Sequence, residues 1–305
     1  MRFVFFIFLL YSVVSVWAQV DLFLSITAQN DFLNYRGHGT DRYYTGGHQA
    51  ALLFYKKSAR FTHHQISVTQ QLYTPDNLQD TTLRCLDYPY AGLLFATYQL
   101  QHRALASKTR WRFSSTYGYS GRRSGARQTQ QFLHRVIGDE IPLGWDHIVE
   151  QGLFAQFELL LEQPLLTGSQ IAVLGGQTIE IGSLIQRVRW GLTFILGSTE
   201  MPVGSLSLFS VEQPDQQKRS LAVFLTPTFT RVFKNRLLQP QEHLFSIKER
   251  ILSEQIAGLE FGLRLRLKKT AVHFAQYLYQ REFEQVAPHA FGELGVVIPL
   301  SYKIQ

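Results

Sequence analysis

Beyond its first 18 residues this chain contains no apolar run approaching the roughly 18 residues that a membrane-spanning helix requires, yet it repeats strand-length stretches of alternating apolar and polar side chains. In Asp21–Asn30, Leu22, Leu24, Ile26 and Ala28 share one face, and Ser25, Thr27 and Gln29 share the other. A period of two belongs to a β-strand whose faces meet different surroundings, as in a barrel wall between lipid and lumen. The same pattern predicts strands over Thr45–Tyr55, Thr62–Tyr73, Tyr90–Gln101, Arg110–Tyr119, Val149–Leu160, Ser169–Ile181, Leu184–Gly197, Leu221–Phe233, Gln255–Leu267, Thr270–Gln280 and Ala290–Tyr302. With the first, that makes twelve, and bacterial barrels use even numbers. The expected fold class is all-β: a transmembrane antiparallel barrel of about twelve strands with a short helix in an extracellular loop.

The chain opens with Met1-Arg2, an apolar run from Phe3 to Trp17, and the small residue Ala18. That layout predicts a secretory signal peptide over residues 1–18 and a mature barrel over 19–305, with one unit of the +7 formal charge leaving with Arg2. Charged residues make up 17% of the chain against roughly 25% in soluble domains, while Tyr and Phe number 14 and 23. Aromatic girdles at two membrane interfaces would use those rings. Cys85 is the single cysteine, so no internal disulfide can form, which suits a fold stabilised by closure of its hydrogen-bond ladder. An exported chain of this composition is a poor nucleic-acid binder.

Barrels of this type pair short periplasmic turns with long outer loops, which places the N-terminus in the periplasm. Ser58–Arg60, Arg103–Ser107, Pro164–Gly168 and Lys268-Lys269 then become periplasmic turns, and the long Ser198–Ser220 falls on that side as an exception. Asp31–Tyr44, Thr74–Pro89, Ser120–Ile148, Arg236–Glu254 and Arg281–Pro288 form the outer loops. Every chemically suggestive cluster lands on that outer rim: Asn30, Asp31 and Thr45 beside the first loop, Asp87–Gly92 closing the second, His134–Asp146 in the third.

The third outer loop carries a helical pattern from Arg127 to Ile137, ended by Gly138 in a C-cap position. Phe132, Val136 and Leu133 make one apolar side; Gln130 and His134, four apart, share another face. A histidine there could take a proton from water, since its reference pKa is roughly 6.5, although most of the 10 histidines here can only be surface or packing residues. Asn30, Asp31, Thr45 and Glu140 offer hard oxygen donors that suit Ca²⁺. Spacing alone favours an ordinary Asx turn at Asn30-Asp31, and Gly46-Gly47 fits either a close approach to a ligand or a bend in a strand.

The ordered set Asn30-Asp31, Thr40-Asp41-Arg42-Tyr43-Tyr44-Thr45-x-Gly47, Tyr73-Thr74-Pro75, Pro89-Tyr90-Ala91-Gly92, Gln130-x3-His134 and Gly144-Trp145-Asp146 resembles the lipid A 3′-O-deacylase family of outer-membrane proteins, LpxR-like. The motifs cover the first half of the mature chain. The resemblance implies a Ca²⁺-dependent esterase of the outer membrane, facing the exterior as a monomer, with lipid A or lipopolysaccharide as substrate. It implies His134 as the general base, Asn30, Thr45 and Glu140 as members of the catalytic site, and Asp31 with Asn30 as metal ligands. The chain departs from the family pattern at Gln29, Gly46 and Tyr88, where Glu, Asn and Arg are common, and ends in Gln305 rather than an aromatic residue. Arg122, Arg123, Arg127 and Arg135 either meet lipid A phosphates or are solvated loop charges. Two other functions remain open: an outer-membrane phospholipase, for which no serine stands in a recognisable motif with a histidine, and a passive pore or structural barrel.

Overall fold

A computed structural model describes residues 20–34, 42–56, 62–81, 87–104, 106–198, 219–237, 252–268, 270–284 and 286–300. Twelve antiparallel strands close into one barrel in sequence order: β1 Val20–Asn30, β2 Tyr43–Lys56, β3 Thr62–Thr74, β4 Ala91–Arg103, β5 Arg110–Ser120, β6 Gly152–Thr167, β7 Ile171–Gly182, β8 Ile185–Gly197, β9 Ser220–Asn235, β10 Gln255–Leu267, β11 Thr270–Tyr279 and β12 His289–Pro299. β1 pairs with β12 from Phe23↔Pro299 to Asn30↔Gly292, so no strand edge is left open. No helix among the described residues is long and apolar enough to cross a membrane.

β9 shows why the alternation produces this fold. Leu221, Val223, Leu225 and Phe229 point out and are exposed, whereas Thr226, Thr228 and Thr230 point in and are buried. Such inside-out polarity stabilises a barrel only where its exterior meets lipid. Inside, buried and half-buried ion pairs bridge neighbouring strands, Arg110 to Glu162 at 3.1 Å, Arg112 to Glu158 at 2.8 Å and Arg187 to Glu180 at 2.7 Å, and Arg189 of β8 reaches past β9 to Glu260 of β10 at 3.5 Å. At the rim that carries the long loops, Tyr43, Tyr88, Leu93, Phe154, Phe283 and Val286 pack into an apolar cluster over the lumen.

All twelve expected strands are present, with local differences. Pro164, expected in a turn, lies within β6, which continues to Thr167; the register shifts between Pro164 and Leu166, a bulge that accommodates the missing N–H. β6 begins at Gly152 rather than Val149, because the Val149 N–H donates instead to the Tyr90 carbonyl at 2.8 Å. β8 and β9 pair directly, so no barrel strand intervenes across Ser198–Ser220. The expected signal peptide over residues 1–18, Cys85 and most of that long connection lie outside the described residues.

Candidate active site

The third long loop forms helix α1, Ala126–Ile137, ended by Gly138 in the left-handed conformation (φ 76°) that its C-cap requires. Ala126, Gln130 and His134 are buried, while Phe132, Val136 and Ile137 are exposed. The polar stripe therefore docks on the protein and the apolar side faces away. The docking surface is the exterior of the barrel: on β3, Ile66 and Val68 face outward, and Gln70, Leu72 and Thr74 continue that row upward. The Gln70 side chain donates to the Ser124 carbonyl at 2.7 Å, just before the helix.

The motif residues explain this docking one by one. Gly92 faces outward on β4, and a Cβ there would come within 2.5 Å of the Ala126 Cβ, so only glycine lets the helix sit this close. Tyr90 packs its ring 4.9 Å from that of Trp145, and the Trp145 indole N–H donates to Gln130 Oε1 at 2.7 Å. Gly144 passes so close over Tyr90 that a Cβ would also come within 2.7 Å of the Asp80 carbonyl. Asp146 accepts from Arg127 at 2.7 Å, and its carbonyl accepts from Arg122 at 3.1 Å. Both are solvent-exposed pairs that order the loop with little net energy.

His134 is buried, with Nδ1 2.5 Å from the Glu140 carbonyl oxygen. A carbonyl only accepts, so Nδ1 carries the proton and the lone pair of the neutral ring sits on Nε2. Asp139, absent from the sequence reading, places a carboxylate oxygen 3.9 Å from the same Nδ1. The Glu140 side chain is exposed; its carbonyl, not its carboxylate, meets His134.

The remaining site residues belong to the same outward row. Asn30 pairs with Gly46 across β1 and β2, and Gly46 with Leu72 across β2 and β3. The register shifts between Tyr44 and Gly46, leaving Thr45 as the extra residue of a bulge, with its hydroxyl hydrogen-bonded to that of Thr74. Asn30 caps a 3₁₀ turn at Asp31–Leu33, accepting from the Phe32 N–H at 2.7 Å. Asp31 is buried and accepts from Phe32 N–H at 2.8 Å and Arg42 N–H at 3.0 Å. That turn lies against the outward side of β11 and β12, where Gln276 donates to the Leu33 carbonyl at 2.9 Å. Asn30 and Leu72 are two strand spacings apart, roughly 10 Å, with Thr74 two residues further along β3. Turn and bulge thus lie on the exterior of β1 and β2, and the helix on that of β3 and β4.

Among the described residues no three His, Cys, Asp or Glu side chains gather as a metal cluster. The donors present at the turn are the Asp31 carboxylate and the Asn30 amide oxygen, hard oxygens that fit a hard cation supplemented by backbone carbonyls and water. Of the three departures, two lie inside the barrel. Gln29 bridges the Tyr44 hydroxyl and buried Glu293, which also accepts from Tyr277 at 3.2 Å and pairs with His273. Tyr88 bonds Glu282 beneath the loops, where burial and that carboxylate push its phenol well above the usual value. Only Gly46 belongs to the exterior row.

A model of the outer-membrane protein LpxR family matches residues 3–300. The chain belongs to the LpxR family. Among solved structures, LpxR from Salmonella typhimurium superposes with a TM-score of 0.76 at 17% identity, covering 90% of this chain and 99% of that one. At that identity the likeness establishes the fold: a closed twelve-stranded barrel of outer-membrane type. The β domain of the Bordetella autotransporter BrkA (TM-score 0.45, 7% identity, 92% and 98% covered) and the NalP translocator from Neisseria meningitidis (0.40, 8%, 91% and 86%) also match, at scores that carry no argument. No curated protein matches the sequence significantly.

Proposed function

We propose that this LpxR-family barrel hydrolyses an ester-linked acyl chain of lipid A in the outer leaflet, with His134 as the base that activates water. The observation that carries this reading is the buried polar face, Gln130 and His134, of a helix held on the outside of the barrel at β3 and β4 by Gln70 and Gly92. A passive pore has no use for a histidine held in one tautomer against its exterior wall. The phospholipase reading is the weaker rival, because no serine in the sequence stands in a recognisable motif with a histidine.

In this mechanism, Nε2 of His134 accepts a proton from the attacking water, while Nδ1–H remains bonded to the Glu140 carbonyl and fixes the ring. Asp139 places a carboxylate oxygen 3.9 Å from Nδ1, on the side of the ring away from the attacking water. Asn30 and Thr45 supply polar groups that orient the ester, and Asp31 with Asn30 would hold Ca²⁺. Ca²⁺ would supply positive charge where the ester oxygen becomes negative. Burial under the helix limits water and strengthens each of these interactions.

The test is to incubate detergent-folded protein with purified lipid A and to follow product mass. Loss of one ester-linked acyl chain, with amide-linked chains retained, supports the reading. Cleavage of glycerophospholipid instead of lipid A would sink it in favour of the phospholipase.

A further inference from the structure

The exposed apolar flank of α1 is the surface that nothing above uses. With about 100° of rotation per residue, Phe132, Val136 and Leu133 lie to one side of the docked stripe Ala126, Gln130 and His134, whereas Arg127, Gln128, Gln131 and Arg135 lie to the other. Phe132 is 61% exposed, Val136 66% and the terminal Ile137 67%. In a water-facing loop such a flank would lose solvation energy without return. The helix is not in that setting. It is held on the barrel exterior by Gly92 and Gln70, immediately above Leu94 and Val68, exposed outward residues of the same two strands. The helix thus lies directly above the lipid-facing belt, and Leu143, beyond its C-terminal end, is also exposed. The opposite flank presents exposed Arg127 and Arg135.

We infer that α1 is an interfacial helix: Phe132 and Val136 insert among the acyl chains of the outer leaflet, while Arg135 and Gln128 stay at the aqueous side. The inserted flank sets the depth at which Gln130 and His134 meet the wall, which is the level where acyl chains join their headgroups. This inference needs only that the barrel sits in a bilayer and does not depend on the hydrolytic assignment.

Spin labels placed singly at positions 128, 132, 135 and 136, in a Cys85→Ala background reconstituted into phosphatidylethanolamine/phosphatidylglycerol vesicles, provide the test; a label at Val68 marks the lipid belt. The expected result is a ratio of oxygen to nickel-chelate accessibility severalfold higher at 132 and 136 than at 128 and 135, approaching that at 68. Equal nickel-chelate access at all four positions would overturn the inference by placing the helix in water. Protection of 132 and 136 from both reagents would overturn it in favour of a protein contact. Both apolar positions are exposed, so one label that impairs folding leaves the other to decide.

Discussion

Gly92→Ala is predicted to disable the site while leaving the barrel intact. The added Cβ would sit 2.5 Å from the Ala126 Cβ, whereas non-bonded carbons settle at about 3.5–4.0 Å. Ser124 can swing its hydroxyl away, but the Ala126 methyl is fixed to the helix, so α1 must lift by about 1 Å. A misplacement of about 1 Å at a catalytic group costs on the order of 100-fold in rate, equivalent to roughly 2.7 kcal/mol of transition-state stabilisation. The assay is the initial rate of lipid A deacylation at fixed protein and calcium, with barrel integrity checked by heat-modifiable gel migration and a denaturant midpoint. A rate between one tenth and one hundredth of wild type, with both folding measures unchanged, is expected. Wild-type rate in folded Gly92→Ala would refute the claim that helix-to-wall distance positions the base.

Trp145→Phe removes the indole hydrogen bond to the buried Gln130 amide oxygen, worth about 0.5–1.5 kcal/mol; limited proteolysis should then cut residues 126–150 faster than in wild type without affecting the strands. Arg110→Ala strands the buried Glu162 carboxylate and should lower unfolding stability by roughly 3–5 kcal/mol in a guanidinium titration, with the double variant Arg110→Ala/Glu162→Ala less affected than the single. Equal losses in the two would contradict the pairing. The ion-paired lumen beneath the Tyr43, Tyr88 and Phe283 cluster should pass no steady current in planar bilayers; reproducible open-channel steps would revive the pore reading.

Most of the wall was legible because a barrel in lipid writes its two environments directly into a period of two, as Leu225–Thr230 does residue by residue. Helix α1 was legible too, down to its Gly138 cap. Its orientation was not, since an apolar side at Phe132 and Val136 normally marks the buried face, and only the position of the loop on the barrel exterior reverses that rule. The face carried by an end-of-strand residue was equally hidden: Gln29 and Asn30 are adjacent, yet one joins the lumen network of Glu293 and the other the exterior row. Lumen ion pairs such as Arg189 with Glu260 depend on strand register across 71 positions, which no local pattern encodes. Asp139 was missed because its proximity to His134 arises from the chain turning at Gly138.

The most direct test of the account is a side-by-side time course of lipid A deacylation by the wild type, His134→Ala and Asp31→Ala, each with Ca²⁺ or with chelator. The account predicts acyl loss only from the wild type with Ca²⁺, and folded but inactive protein in the other five reactions. Sustained deacylation by folded His134→Ala would contradict it.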